Sequence, residues 1–452
     1  MHSINNMPRK NSHAHHHEPL NFPKGFLWGT ATSAHQVEGN NKASDWWEWE
    51  QKKGNIENNE ISGKAADHYK RYEEDFDILK SLNNNTHRLG IEWARIEPEE
   101  GKWDEEAILH YHKVFKALKN RKIKIMLTVN HFTLPEWAAK NGGWEKSKTV
   151  RRYNRYVNKI AKEYSEYIDF WITLNEPIVY MSMSYIAGTW PPKGFRKFFK
   201  STKVFFKLLK AHKKAYRTIR KHSNKPIGIA KNMISFVSYG GYSFINFFYL
   251  KTLDFMWNRI FYILSKRYHD FFGVNYYFHQ RLKRENVFSF PLVDIHEEDR
   301  EHSDLGWEIY PEGIFHVLMN LKKYKKPIYI TENGIAAEND SKRTRYIISH
   351  LIEIYHAIQS GVDVRGYYYW SLLDNFEWHE GFAPRFGLVG VNYKTMKRTP
   401  NQSAEIYAKI AKENKVGHEL LFYLGHGLRD ACTGICGYIT TQKGKVKRNK
   451  NS

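Results

Sequence analysis

Apolar residues are spaced along this chain in two alternating ways. Short, nearly continuous apolar runs recur from Pro23 onward: FLWGTATSA, NTHRLGIEW, KIMLTVNH, DFWITLNEP, PIGIAKNM, DFFGVNYY, PIYITENG and VRGYYYWSLLD. Between them lie longer stretches in which apolar residues return every three to four positions, such as DHYKRYEEDFDILKSL, EEAILHYHKVFKALKNR, VRRYNRYVNKIAKEYSEY and RTRYIISHLIEIYHAIQSG. The first pattern predicts buried strands and the second amphipathic helices. Strand alternating with helix implies a parallel sheet, and eight such units close into a (β/α)8 TIM barrel. An open doubly wound sheet is the competing arrangement, but no glycine-rich phosphate loop follows the first strand. The predicted barrel spans residues 22–415, with a flexible His-containing arm before it (1–21). A C-terminal appendage with a basic end follows it (416–452).

In such a barrel the C-terminal strand ends converge on one mouth, so polar groups placed where an apolar run stops are candidates for chemistry. Reading the runs to their ends gives Gln36, Arg88, His131, Asn175, Glu176, Asn275, Tyr277, Glu332, Trp370, Glu377 and Trp378. Glu176 and Glu332 each stand beside an Asn, in TLNEP and ITENG. Two carboxylates facing each other suit acetal cleavage: one is protonated and assists the leaving group, the other is ionised and attacks. Arg88 and Tyr277 beside Glu332 would favour its ionised form. Desolvation among apolar neighbours, together with the opposing charge, would raise Glu176 as a general acid requires. A gap of about 5–5.5 Å would imply retention of anomeric configuration, and a larger one inversion.

Composition narrows the partners. Net charge is +22, but the basic residues are scattered along helical segments such as FRKFFKSTKVFFKLLKAHKKAYRTIRKHS. Scattered charge reads as solvated helix surface, so nucleic acid is not expected as a partner. The only two cysteines, Cys432 and Cys436, exclude a disulfide-built core and fit a reducing compartment. No signal-like stretch and no membrane-spanning run is present, so a soluble, cytoplasmic protein is expected. His13, His15, His16 and His17 read as a polar arm, and the two thiols as unrelated, so no metal site is expected.

The strings FLWGTATSAHQVEG, NHFTLPEWA, TLNEP, FFGVNYY, GWEIYPEG, YITENG and YYYWSLLDNFEWHEGFAPRFGLVGVNY resemble, in order, the signatures of glycoside hydrolase family 1. These are retaining β-glucosidases and β-galactosidases. The resemblance implies Glu176 as acid/base and Glu332 as nucleophile. It implies that Gln36, His131, Asn175 and Glu377 hold the hydroxyls of the sugar being cleaved, with Trp370 as its platform and Trp378 beside it. Tyr277 would bond the nucleophile, Arg88 would keep it ionised, Asn275 would support it, and Trp307 would line the leaving-group side. It implies a small β-glycoside as substrate and no required cofactor. Relatives acting on 6-phosphorylated sugars carry Ser where this chain has the anionic Glu377, so an unphosphorylated β-glucoside is expected, with β-galactosides and β-fucosides as further candidates. The alternative is a weakly active or inactive barrel that binds a sugar or an apolar ligand. Three departures stand out: Phe132 replaces the family's usual Trp, the connection before the sixth strand is shortened, and the appendage is unfamiliar. The shortened connection is expected to leave an aromatic flank around Phe247–Tyr262, mostly core but open in part to an apolar ligand, a partner chain or a membrane surface.

Overall fold

The computed structural model describes residues 19–239, 244–283, 293–294 and 300–424. The histidines at 13 and 15–17, and both cysteines, lie outside these. Eight parallel strands close into a barrel: β1 (Leu27–Ala31), β2 (Thr86–Gly90), β3 (Lys124–Thr128), β4 (Phe170–Asn175), β5 (Ile227–Asn232), β6 (Phe271–Asn275), β7 (Ile328–Asn333) and β8 (Val364–Trp370). The order around the wall follows the chain, β8 pairing with β1 through Leu27 to Ala31. Nearly every strand residue is buried, which is why the runs read as continuous apolar stretches rather than alternating ones. Inward residues such as Leu27, Met126, Ile172, Phe271, Tyr329 and Tyr368 fill the interior. Outward residues such as Trp28 pack on the helix layer, its ring 6.1 Å from that of Tyr407 in the last barrel helix.

One main helix follows each strand: α1 (His68–Ser81), α2 (Glu105–Asn120), α3 (Ser147–Tyr164), α4 (Phe198–Arg220), α5 (244–264), α6 (Glu312–Lys322), α7 (Asp340–Gln359) and α8 (Gln402–Glu413). Asp104 caps α2 by accepting from the Ala107 amide, and Asn339 caps α7 by accepting from Ser341. Helix α5 runs from Phe244–Asp254 through a wider turn at Phe255–Arg259 to Ile260–Leu264. That turn frees backbone carbonyls, and the buried Lys231 of β5 takes two of them, Trp257 at 2.6 Å and Asn258 at 3.1 Å.

Two expectations change here. Leu20–Asn21, placed in the arm, pairs antiparallel with Lys415–Val416, and Val416 and Leu420, placed in the appendage, are buried. Beside the shortened connection, α5 covers the barrel wall and buries Phe261 and Tyr262. The flank is less core-like than expected, however: Phe247, Phe248 and Phe255 are exposed, and Trp257 and Tyr249 half-buried.

Candidate active site

The carboxylates are aimed by irregularities in their own strands. Pairing of β4 with β5 slips between Ile172 and Asn175, and pairing of β7 with both neighbours slips after Ile330. Such slips re-aim side chains at the end of a strand. Glu176 follows at φ 41°, a left-handed conformation that non-glycine residues rarely adopt, and its amide donates to Ala230 at 2.9 Å. Phe132 (φ 74°) and Trp378 (φ 53°) share that conformation, so three wall residues of one pocket sit on strained backbone. At β7 the close approach is met by glycine: a Cβ on Gly334 would overlap the Trp370 carbonyl oxygen.

Arg88 is the hub. Lying within β2 rather than at its end, it is 1% exposed. Its guanidinium donates to Glu332, to the Thr331 carbonyl at 3.0 Å, to Asn175 Oδ1 at 2.7 Å and to Thr128 Oγ1 at 3.0 Å. Tyr277 donates to the other Glu332 oxygen at 2.6 Å. Among the described residues no cation is in contact with Glu176; its Oε1 accepts from the Asn275 amide at 2.8 Å. Asn275 also donates to Asn175 Oδ1 at 3.2 Å, and its own oxygen accepts from Thr331 at 2.6 Å. The two carboxyls therefore differ in company: one holds a guanidinium and a phenol, the other a single amide.

The remaining residues form the adjoining wall. Asn175 Nδ2 donates to His131 Nε2 at 2.9 Å, which leaves the ring proton on Nδ1. Burial and the Arg88 charge hold His131 well below its ordinary pKa, so it is neutral. Its ring stacks against Trp370 at 5.7 Å and Trp378 at 6.0 Å. Gln36 donates to Glu377 at 3.1 Å and to Asn375 at 2.8 Å, and its oxygen accepts from Ser33 at 2.6 Å. Phe132 packs behind, 4.8 Å from Trp190 and 5.2 Å from Trp378, and offers no N–H. Trp307, half-buried, stands further out, 5.8 Å from Tyr277 and 5.0 Å from Phe278.

Burial dominates the electrostatics. It pushes Glu176 up to about 8, with the Glu332 charge adding to the rise. Glu377 is likewise pushed up to about 8, first by desolvation and then by Glu332. Glu332 is raised too: burial outweighs the opposing pull of Arg88, Tyr277 and Asn275. Arg88 and Tyr277 do pull Glu332 toward its ionised form, but a fully buried carboxyl loses more hydration than its donors return. Between the two, the proton still belongs on Glu176, since only Glu332 is in contact with a cation.

All the residues foreseen from sequence line this one mouth, but not all sit on strand tips. Gln36 is on the short helix Ala34–Glu38, Glu377 and Trp378 are on the turn after β8, and Trp307 is in the loop before α6. The reading missed Ser33, Asn375, Trp190 and His379. The last accepts from the Trp190 indole at 3.1 Å. An Asn between two signature residues (DNFEW) and a Trp beside a proline pair (TWPP) were the available signals. Among the described residues no group of three or more His, Cys, Asp or Glu is arranged to hold a metal ion.

A parallel barrel with two unequal carboxyls and an aromatic, hydroxyl-matching wall defines a glycoside hydrolase. The chain belongs to glycosyl hydrolase family 1, whose profile matches residues 18–240 and 253–416. It is 31% identical to a β-galactosidase of Pyrococcus woesei, covering 88% of this chain and 99% of that one. It is 32% identical to β-glucosidase A of Thermotoga maritima, over 87% and 98%. The solved β-glycosidase from Pyrococcus horikoshii superposes with a TM-score of 0.84 at 38% identity, over 91% and 99%.

Proposed function

We propose that this enzyme is a retaining exo-β-glycosidase acting on unphosphorylated β-glucosides, with β-galactosides and β-fucosides as further substrates. Glu332 attacks the anomeric carbon to form a glycosyl ester, while Glu176 gives its proton to the departing oxygen. Glu176 then takes a proton from the water that cleaves the ester, and both carboxyls return to their starting states. The observation that carries this reading is the unequal company of the two groups. Contact with Arg88 and Tyr277 suits the carboxylate that must be anionic, and isolation with Asn275 suits the one that must hold a proton.

The sugar would lie on Trp370 and Trp378, its hydroxyls meeting Gln36, His131, Asn175 and Glu377, with Trp307 against the leaving group. An unphosphorylated sugar is favoured because Glu377, which accepts from Gln36, presents a carboxyl suited to a sugar hydroxyl rather than a cation suited to a phosphate. Acid, base and nucleophile are all side chains, so no cofactor is required. Low cysteine content supports a cytoplasmic setting. Hydrolysis of aryl β-glucosides with good and poor leaving groups tests the roles. Glu332→Gln should lose essentially all turnover on both. Glu176→Gln should lose about 10²–10⁴-fold with a poor leaving group and far less with a good one, which needs little protonation. Equal losses on both would contradict the assignment.

A further inference from the structure

Helix α5 opens with FINFFYLKTLD, apolar nearly all round, a composition that ordinarily marks a buried helix. Phe244 is nevertheless 85% exposed, and Phe247 and Phe248 are exposed with it. On the preceding helix around the wall, Phe199 is 89% exposed and Phe198 is exposed with it, as is Phe195 just before that helix. The two helices are joined where Phe205 of α4 meets Phe261 of α5 edge-on at 5.6 Å.

Both sets of rings lie at the mouth-side starts of their helices, because every barrel helix begins where its strand ends. Helix α4 follows the loop that carries Glu176 and Trp190. The first part of α5 packs on the strand Ser235–Ser238, which continues past β5 and pairs with His279–Lys283 beyond β6. Phe244, Phe247 and Phe248 also fall within residues 241–252, the stretch the family profile leaves unmatched. The family's shared pattern therefore does not account for them.

Charge identifies the occupant. Residues 191–220 hold eight Lys and three Arg and no Asp or Glu. Lys197 and Lys203 flank Phe198 and Phe199 and are exposed, while Lys200, also exposed, pairs with Glu145 at 3.0 Å. A second copy of this chain docking face to face would oppose like charges on a molecule already at +22. Phenylalanine has no polar rim to match an acidic protein surface, and these rings stand on outer helix faces rather than along a groove that could track a nucleic acid. Exposed aromatic rings set among cations fit the boundary between acyl chains and anionic headgroups.

We propose that the mouth-side ends of α4 and α5 form a docking surface for an anionic lipid bilayer, the phenylalanines entering the headgroup–acyl boundary and the Lys and Arg side chains meeting lipid phosphates. No described helix is long and apolar enough to cross a membrane, so the contact is a surface one. It would turn the active-site mouth toward the headgroups.

Sedimentation of the full chain with vesicles tests this, using phosphatidylcholine alone and phosphatidylcholine mixed with phosphatidylglycerol. Partition onto the anionic vesicles alone is expected, weakening as salt rises. The double variant Phe199→Ser/Phe248→Ser and, separately, Lys197→Glu/Lys203→Glu should each lower it by at least about tenfold. Both variants should keep turnover of a water-soluble aryl β-glucoside, which shows that they are folded. Absence of partition onto either vesicle overturns the proposal. So does partition that the charge variant abolishes but the phenylalanine variant leaves intact, because adsorption by charge needs no such surface. A dimer that dissociates in the phenylalanine variant, without vesicle binding, would assign the face to a second copy instead.

Discussion

Replacing Glu176 with Gln should stabilise the folded protein, and only at the alkaline end. Burial and the Glu332 charge hold Glu176 at about 8 against an ordinary value of 4.5. Between those two pH values the native protein keeps a proton that the unfolded chain has released. Stability therefore falls as pH rises through the window and is unaffected below it. At about 1.4 kcal/mol for each of about 3.5 pH units, the ionised group costs at most about 5 kcal/mol near pH 8, and local relaxation and water entry bring this to a few kcal/mol. Gln keeps the oxygen that accepts from Asn275, so the substitution removes the charge with little change in shape. Urea unfolding of both proteins at about pH 5 and about pH 8 reads the difference directly. Glu176→Gln should match wild type within about 1 kcal/mol at the lower pH and exceed it by about 2–5 kcal/mol at the higher. An equal difference at both pH values, or a variant that is weaker at pH 8, would refute the reasoning.

Three further outcomes follow from the same geometry. Tyr277→Phe removes the phenol that favours ionised Glu332, so the acid limb of kcat/KM should move to higher pH and kcat fall by about 10–100-fold, as a pH–rate profile on an aryl glucoside would show. Asn275→Ala removes the one donor to Glu176, so the basic limb, set by loss of the Glu176 proton, should move upward as well; a downward shift would contradict the bond's direction. Gly334→Ala should cost more than about 3 kcal/mol or prevent folding, because its Cβ would meet backbone at Trp370 rather than a side chain that can turn away. Denaturant midpoints of the purified variant check this.

The barrel was legible because strands buried on both faces leave a continuous apolar signature, and a polar residue at the end of such a run has few structural reasons to be there. Glu176, Glu332 and Asn275 are found by that logic alone. Gln36, Glu377, Trp378 and Trp307 sit on turns and loops, where periodicity says nothing, and only their place in ordered motifs marked them. What stayed hidden depends on long-range pairing. The bond from Gln36 to Asn375 joins residues 339 apart in the chain, and no local pattern reports it. The register slips before Asn175 and after Ile330 are equally silent, since they arise from how strands meet rather than from what each contains. The net rise at Glu332 was not legible for a related reason: its donors can be guessed from sequence, but the degree of desolvation depends on how completely eight strands close around it.

That closure is why whole strands are given over to delivering one carboxyl each. A carboxyl left in water keeps an ordinary pKa, and so could not hold a proton at neutral pH. Set on a strand tip in a closed barrel, Glu176 is desolvated enough to stay protonated, at a cost in stability that the same burial imposes on Glu332 and Glu377. Arg88 limits that cost from one side only. It reaches Glu332 directly but touches the Glu176 strand only through Asn175, so a cation in contact with one carboxyl and not the other divides two chemically identical groups into an anion and an acid. A guanidinium can do this and an ammonium cannot, because four bonds in one plane are needed to tie β2, β3, β4 and β7 together while leaving Glu176 unpaired. The division of roles therefore rests on the geometry of one side chain inside the barrel. The strands fix that geometry before any sugar arrives.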